Sequence, residues 1–129
     1  METKLKRNLA VQVIKDHNIS KIEVYYSGGG DDGAIESIIY YVTDPGSGDQ
    51  VDIPVDMTNE VENEWNDLLY DMLNDNIEWD WINNDGGEGH MYINCEKTPW
   101  KVNIDHSQNV REDHTYSDID FNTESKEYF

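Results

Sequence analysis

The chain reads as an α+β domain, an antiparallel sheet of about five to six strands with two helices packed on it. Two segments carry apolar residues at helical spacing, and the segments between them are rich in Val, Ile and Tyr. The resulting order of helix, strands, helix, strands is that of an antiparallel sheet with helices on one face. Fourteen aromatic residues, four Trp, eight Tyr and two Phe, support a folded chain, because disordered acidic chains are poor in aromatic and β-branched residues.

Residues 4–18 place Leu5, Leu9, Val13 and Ile14 on one helical face, and Asn18 is a natural terminator. Residues 21–26 and 34–43 read as strands of one antiparallel hairpin, with Ser27-Gly28-Gly29-Gly30-Asp31-Asp32-Gly33 as the loop between them. Asp44-Pro45-Gly46-Ser47-Gly48-Asp49 is a turn into a short strand over 51–55, where Pro54 marks an edge or an end. Thr58 is suited to cap a second helix whose apolar face is Val61, Trp65, Leu68, Leu69, Met72 and Leu73. A second acidic glycine-rich loop, Asn83-Asn84-Asp85-Gly86-Gly87-Glu88-Gly89, precedes strand-like runs at 90–95, 100–105 and 115–121. Residues 1–121 are thus expected to form a single compact acidic domain, with 122–129 a frayed tail.

Charge is the least ordinary property of the chain. Residues 24–96 contain no lysine or arginine, and the net charge is −19. Residues 1–26 hold five of the nine basic residues against three acids, leaving 25 acids against four bases in the remaining 103. Such a field repels nucleic acid and anionic membrane and attracts basic surfaces. Solubility alone needs a net charge of only about 2 to 8 in magnitude for a small domain. Cys95 is the only cysteine, which excludes an internal disulfide framework and fits a reducing cytoplasm. No apolar run approaches the length of a membrane span, and no apolar segment of signal-peptide type follows the charged N-terminus.

On the second helix Glu60, Glu64, Asp67, Asp71 and Asp75 follow spacings of 4, 3, 4 and 4, which keeps the five carboxylates in a narrow sector. Neighbours in such a stripe lie about 5 to 6 Å apart along the axis. That density is comparable with the charge repeat of a DNA strand, about 3.4 Å. No lysine stands at an i+4 position to relieve the repulsion. A solvated face in an acidic protein is one reading of the stripe. The other is nucleic-acid mimicry, in which carboxylates stand where phosphates would be and block a basic groove.

The two glycine-rich segments admit a rival use, since Asp31, Asp32, Asp85 and Glu88 could supply oxygen ligands to Ca²⁺ or Mg²⁺. Neither matches an EF-hand: counted from Gly86 the first and twelfth positions are Trp81 and Tyr92, and counted from Gly33 the first is Gly28. The phosphate-loop pattern fails for lack of Gly-Lys-Ser/Thr. Ordinary hairpin loops explain the glycines as well. His90, His106 and His114 with Cys95 and Asp105 lack the close pairs of a structural zinc site and read as surface histidines. Cys95 lacks the electropositive surroundings of a nucleophilic thiol. Paired carboxylates for glycoside hydrolysis are guaranteed somewhere by 28 acids and so carry little information. Alternation in residues 77–82 fits Trp79 and Trp81 packed in the core better than stacked on a sugar or base.

The segments Ser27-Gly28-Gly29-Gly30-Asp31-Asp32-Gly33-Ala34-Ile35-Glu36 and Asn83-Asn84-Asp85-Gly86-Gly87-Glu88-Gly89, with Asp105-His106, resemble a family of small acidic domains of unassigned function from bacteria and their phages. The resemblance runs over residues 20–121 and implies a compact cytoplasmic domain, without a catalytic assignment. The expectation is a non-enzymatic acidic binding protein without a cofactor. It would be a mimic whose contacts are Glu60, Glu64, Asp67, Asp71, Asp75, Asp31, Asp32, Asp85 and Glu88. Its partner is a basic nucleic-acid-binding protein or complex, such as a nuclease or a restriction or CRISPR-type defence complex. The alternative is a divalent-cation or small-ligand binding domain that uses the two glycine-rich loops.

Overall fold

Helix α1 (Glu2–Asp16) leads into strands β1 (Lys21–Gly29), β2 (Asp32–Thr43) and β3 (Gln50–Ile53); helix α2 (Asn59–Asn76) then leads into β4 (Gly87–Asn94), β5 (Lys101–Gln108) and β6 (Glu112–Asp120). The structure is a computed structural model and describes residues 2–29, 32–77, 86–96, 100–108 and 112–121. The strand order is β3-β2-β1-β4-β5-β6 with every pairing antiparallel, so two three-stranded meanders join through β1 and β4. The α+β architecture expected from the sequence is the one observed.

Local signals set the element ends. Asn18 takes a positive φ of 56°, its N–H donates to Lys15 O at 3.0 Å, and the Ile19 N–H reaches Ile14 O at 3.4 Å. Those two bonds form a Schellman cap, and asparagine is among the few residues that tolerate the left-handed region. Thr58 caps α2 in extended backbone, its Oγ1 accepting from the Val61 N–H at 3.4 Å. In the turn after β2, Asp44 accepts from the Gly46 N–H at 3.0 Å and from Ser47 Oγ at 3.1 Å, and Gly48 supplies φ +76°. Pro54 directly follows β3, which is an edge strand among the described residues.

Alternation divides the sheet into two faces. Ile22, Val24 and Tyr26 of β1, Met91 and Ile93 of β4, and Val102, Ile104 and His106 of β5 are buried. The apolar members of this set share one core with Ala10, Val11 and Ile14 of α1 and Trp65, Leu68, Leu69, Met72 and Leu73 of α2. Both helices therefore cover the same face of the sheet. Each large core side chain contributes about 1.5–3 kcal/mol by burial. Trp65, Phe121 and Trp100 form an aromatic cluster within it, with centroids 6.1 and 5.3 Å apart.

Two expectations are corrected. On α1, Leu5 and Leu9 are 61% and 48% exposed and Val13 is half-buried, while Ala10, Val11 and Ile14 face the core. At 100° per residue the Leu5-Leu9-Val13 stripe lies on a different side of the helix from the Ala10-Val11-Ile14 face. The latter face presents Arg7 to α2. Among the described residues, the glycine-rich segments are mostly strand rather than loop. Gly28 pairs with Gly33 on one side and with Gly87 on the other, and Glu88 and Gly89 continue β4. Ladder hydrogen bonds extend through residues whose glycine content marks them as turns. Asp31, Asp85, Trp79, Trp81 and the segment 122–129 lie outside the described residues.

Candidate functional site

The acidic stripe of α2 forms, but it is not a bare row of carboxylates. Lys6 Nζ lies 3.7 Å from Glu60, Arg7 Nε 3.9 Å from Glu64, and Arg7 Nη2 donates to Asp71 Oδ2 at 2.9 Å. The charge relief missing along α2 is supplied from α1. Glu64 is largely buried beside Arg7, with side chains 20% and 12% exposed, so it belongs to the helix–helix seam. Asp67, Asp71 and Asp75 are exposed, as is Glu60.

Of the loop acids, Glu88 is exposed on β4 and accepts from the Tyr25 hydroxyl at 3.0 Å. Asp32 begins β2 with its backbone paired to Gly29. The register brings the two glycine-rich segments together at one end of the sheet, where Gly33, Gly28 and Gly87 stand side by side on three adjacent strands.

A second surface went unnoticed in the sequence: the sheet face opposite the helices. Ser37, Tyr25, His90, Asp105 and Thr115 are successive register partners across β2, β1, β4, β5 and β6, forming one transverse row. These five, with Glu23, Glu88 and Ser107, line a concavity of about 650 Å³. Tyr25 and His90 rings lie 5.0 Å apart, and His90 stacks on Tyr92 at 5.9 Å. His90 Nε2 is 3.8 Å from Glu23, which also accepts from the Tyr41 hydroxyl at 3.4 Å. The negative field is felt by the phenols. The Tyr25 hydroxyl is pushed up by its bond to Glu88, and Tyr41 and Tyr92 are pushed up by partial burial with Glu23 adding to it. The signal available in sequence was the period-two alternation itself, since Glu23 and Tyr25, then His90 and Tyr92, then Asp105 are the outward residues of recognisable strands, whereas Glu88 and Ser107 fall outside the runs the alternation marks.

Beneath this face, Gly89 sits between Tyr26 and His106 on neighbouring strands. A Cβ on Gly89 would come within 2.2 Å of the Asp105 carbonyl oxygen and 2.6 Å of the Tyr26 hydroxyl. The missing side chain lets Tyr26 and His106 lie nearly parallel and share a 2.7 Å hydrogen bond between Oη and Nδ1. His106 is buried, contrary to the surface position expected of it, while His90 is on the open face. Among the described residues no group of three or more His, Cys, Asp or Glu could hold a metal ion. Burial raises the Cys95 thiol to about 12, which leaves it protonated and unreactive at neutral pH.

Among the described residues no helix is long and apolar enough to cross a membrane. No protein-family model, curated protein or solved structure matches this chain.

Proposed function

We propose that the protein acts by binding rather than catalysis, as a cytoplasmic acidic inhibitor that occupies the nucleic-acid-binding surface of a basic protein. In a bacterial or phage setting the partner is a nuclease or a restriction or CRISPR-type defence complex. The observation that carries this reading is the segregation of charge. Helix α2 bears six carboxylates and no lysine or arginine, whereas the described basic side chains gather on α1 and at Lys21 and Lys101 of the open sheet face. An acidic domain selected only for solubility intersperses the two signs. The exposed carboxylates of the stripe are Glu60, Asp67, Asp71 and Asp75, whereas Glu64 is largely buried against Arg7.

Capture from a nuclease-treated bacterial lysate, washed across a salt series, tests the reading. One nucleic-acid enzyme or DNA-binding complex retained at moderate salt, and lost with Asp67→Lys/Asp75→Lys, supports it. A diffuse set of basic proteins released together by low salt overturns it.

A second reading, a divalent-cation or small-ligand site at the glycine-rich end, draws on the side-by-side placement of Gly28, Gly33 and Gly87. It requires a calcium-dependent rise in Tm that Asp31→Ala or Asp85→Ala removes.

A further inference from the structure

We propose that the concavity on the open face of the sheet is a binding site for the guanidinium group of an arginine side chain carried by a partner protein. The site lies across the sheet from α2 and stands independently of the reading above.

Three carboxylates, Glu23, Glu88 and Asp105, stand around the transverse row, and among the described residues no lysine or arginine lines the space. Glu88 accepts from the Tyr25 hydroxyl, and Glu23 accepts from the Tyr41 hydroxyl and lies 3.8 Å from His90 Nε2, so both are held in place while keeping further acceptor lone pairs. The rings of Tyr25 and His90, 5.0 Å apart, line the space between them. A planar cation with several N–H donors suits such a site, because it stacks on the rings and bonds the carboxylates at its edge. An ammonium group offers a point charge and no plane. The same face already places a cation over aromatic rings: Lys21 Nζ lies 4.7 Å from the Tyr41 ring centroid and 5.9 Å from that of Tyr92. That lysine serves one end of the aromatic row, and the concavity is at the other. Its volume of about 650 Å³ is within the range of small-ligand sites, about 300–1,000 Å³, and exceeds what one side chain needs. The excess is consistent with an arginine arriving on a segment of backbone rather than as a free molecule.

The test is titration of the full chain with N-acetyl-arginine amide, followed by amide chemical shifts. The neutral isostere N-acetyl-citrulline amide and N-acetyl-lysine amide are run in parallel. Arginine amide is expected to move the resonances of Tyr25, His90 and Asp105, with lysine amide at least threefold weaker and citrulline amide inert. Glu88→Gln/Asp105→Asn is expected to weaken arginine at least tenfold while Tm is held. The charge-matched control Asp16→Asn/Asp49→Asn, far from the concavity, is expected to stay within twofold. Saturable shifts confined to the open face support the proposal. Shifts scattered over all acidic regions, equal binding of citrulline or lysine, an unmoved affinity in the double variant, or no shift at all would each overturn it. If the double variant loses structure, Tyr25→Phe against Tyr25→Ala replaces it, with binding retained in the first and lost in the second.

Discussion

Gly89 shows how much one missing side chain can decide. Its neighbours Tyr26 and His106 meet over the space a Cβ would fill, and the nearest obstruction is backbone, which cannot swing aside. Gly89→Ala is therefore expected to cost about 1–3 kcal/mol through forced displacement of packed groups, read as a lower urea midpoint with unchanged slope. A second residue-scale expectation concerns alkaline pH. Burial raises the Cys95 thiol from 9.0 to about 12 and the Tyr40 phenol from 10.0 to about 12, and raises Tyr26 as well. These groups stay protonated in the folded chain while the unfolded chain releases their protons. Their contribution is complete below pH 9 and is lost as pH climbs from 9 toward 12. Urea midpoints measured across that range should fall, and phenolate absorbance from Tyr26 and Tyr40 should appear together with unfolding. An early, separate phenolate signal from these two would contradict the burial argument.

Among the elements, α1 is the one whose sequence pattern misleads. Its large apolar residues Leu5 and Leu9 face outward, and the smaller Ala10 and Val11 pack inward with Ile14. Leu9→Ser is accordingly expected to change stability by less than about 0.5 kcal/mol, whereas Ile14→Ala should cost about 2–5 kcal/mol, both from thermal unfolding. The turn after α1 gives another contrast. Asn18→Gly should hold or slightly raise Tm because the left-handed region suits glycine, while Asn18→Val should lower it by the equivalent of about 1–2 kcal/mol. Helix α2 is the opposite case. Thr58 caps it and its apolar residues are those the spacing predicts, because a stripe of Trp, Leu and Met has no competing face on which to be buried.

For the whole molecule the governing quantity is a net charge of −19 in 129 residues. Self-repulsion destabilises a compact state, and salt screens it over a Debye length of about 10 Å at 0.1 M. Tm is thus expected to rise as sodium chloride is increased from low ionic strength. The α1–α2 ion pairs act against this trend, since screening weakens Lys6–Glu60 and the exposed half of the Arg7 network. Arg7→Ala should steepen the salt response while lowering Tm at every salt concentration, because it leaves Glu64 in the seam without its cation. A salt-independent Tm in the parent chain would mean that the acidic field is already balanced internally.

The amino-acid sequence by itself determined the elements: two helices, the strands between and after them, the caps at Asn18 and Thr58, the Asp44 turn and the apolar face of α2. It also determined the unbroken run without lysine or arginine. These are local or compositional properties, legible because capping, turn chemistry and hydrophobic period act over a few residues. Only the tertiary structure decided the rest. Which face of α1 is buried depends on where α2 and the sheet lie, and so does the neutralisation of Glu60, Glu64 and Asp71 by Lys6 and Arg7, residues 54 to 64 positions away in the chain. The glycine-rich segments became strand ends because each found partners on two sides. The open-face row of Ser37, Tyr25, His90, Asp105 and Thr115 is drawn from five strands, and only their register sets it in line.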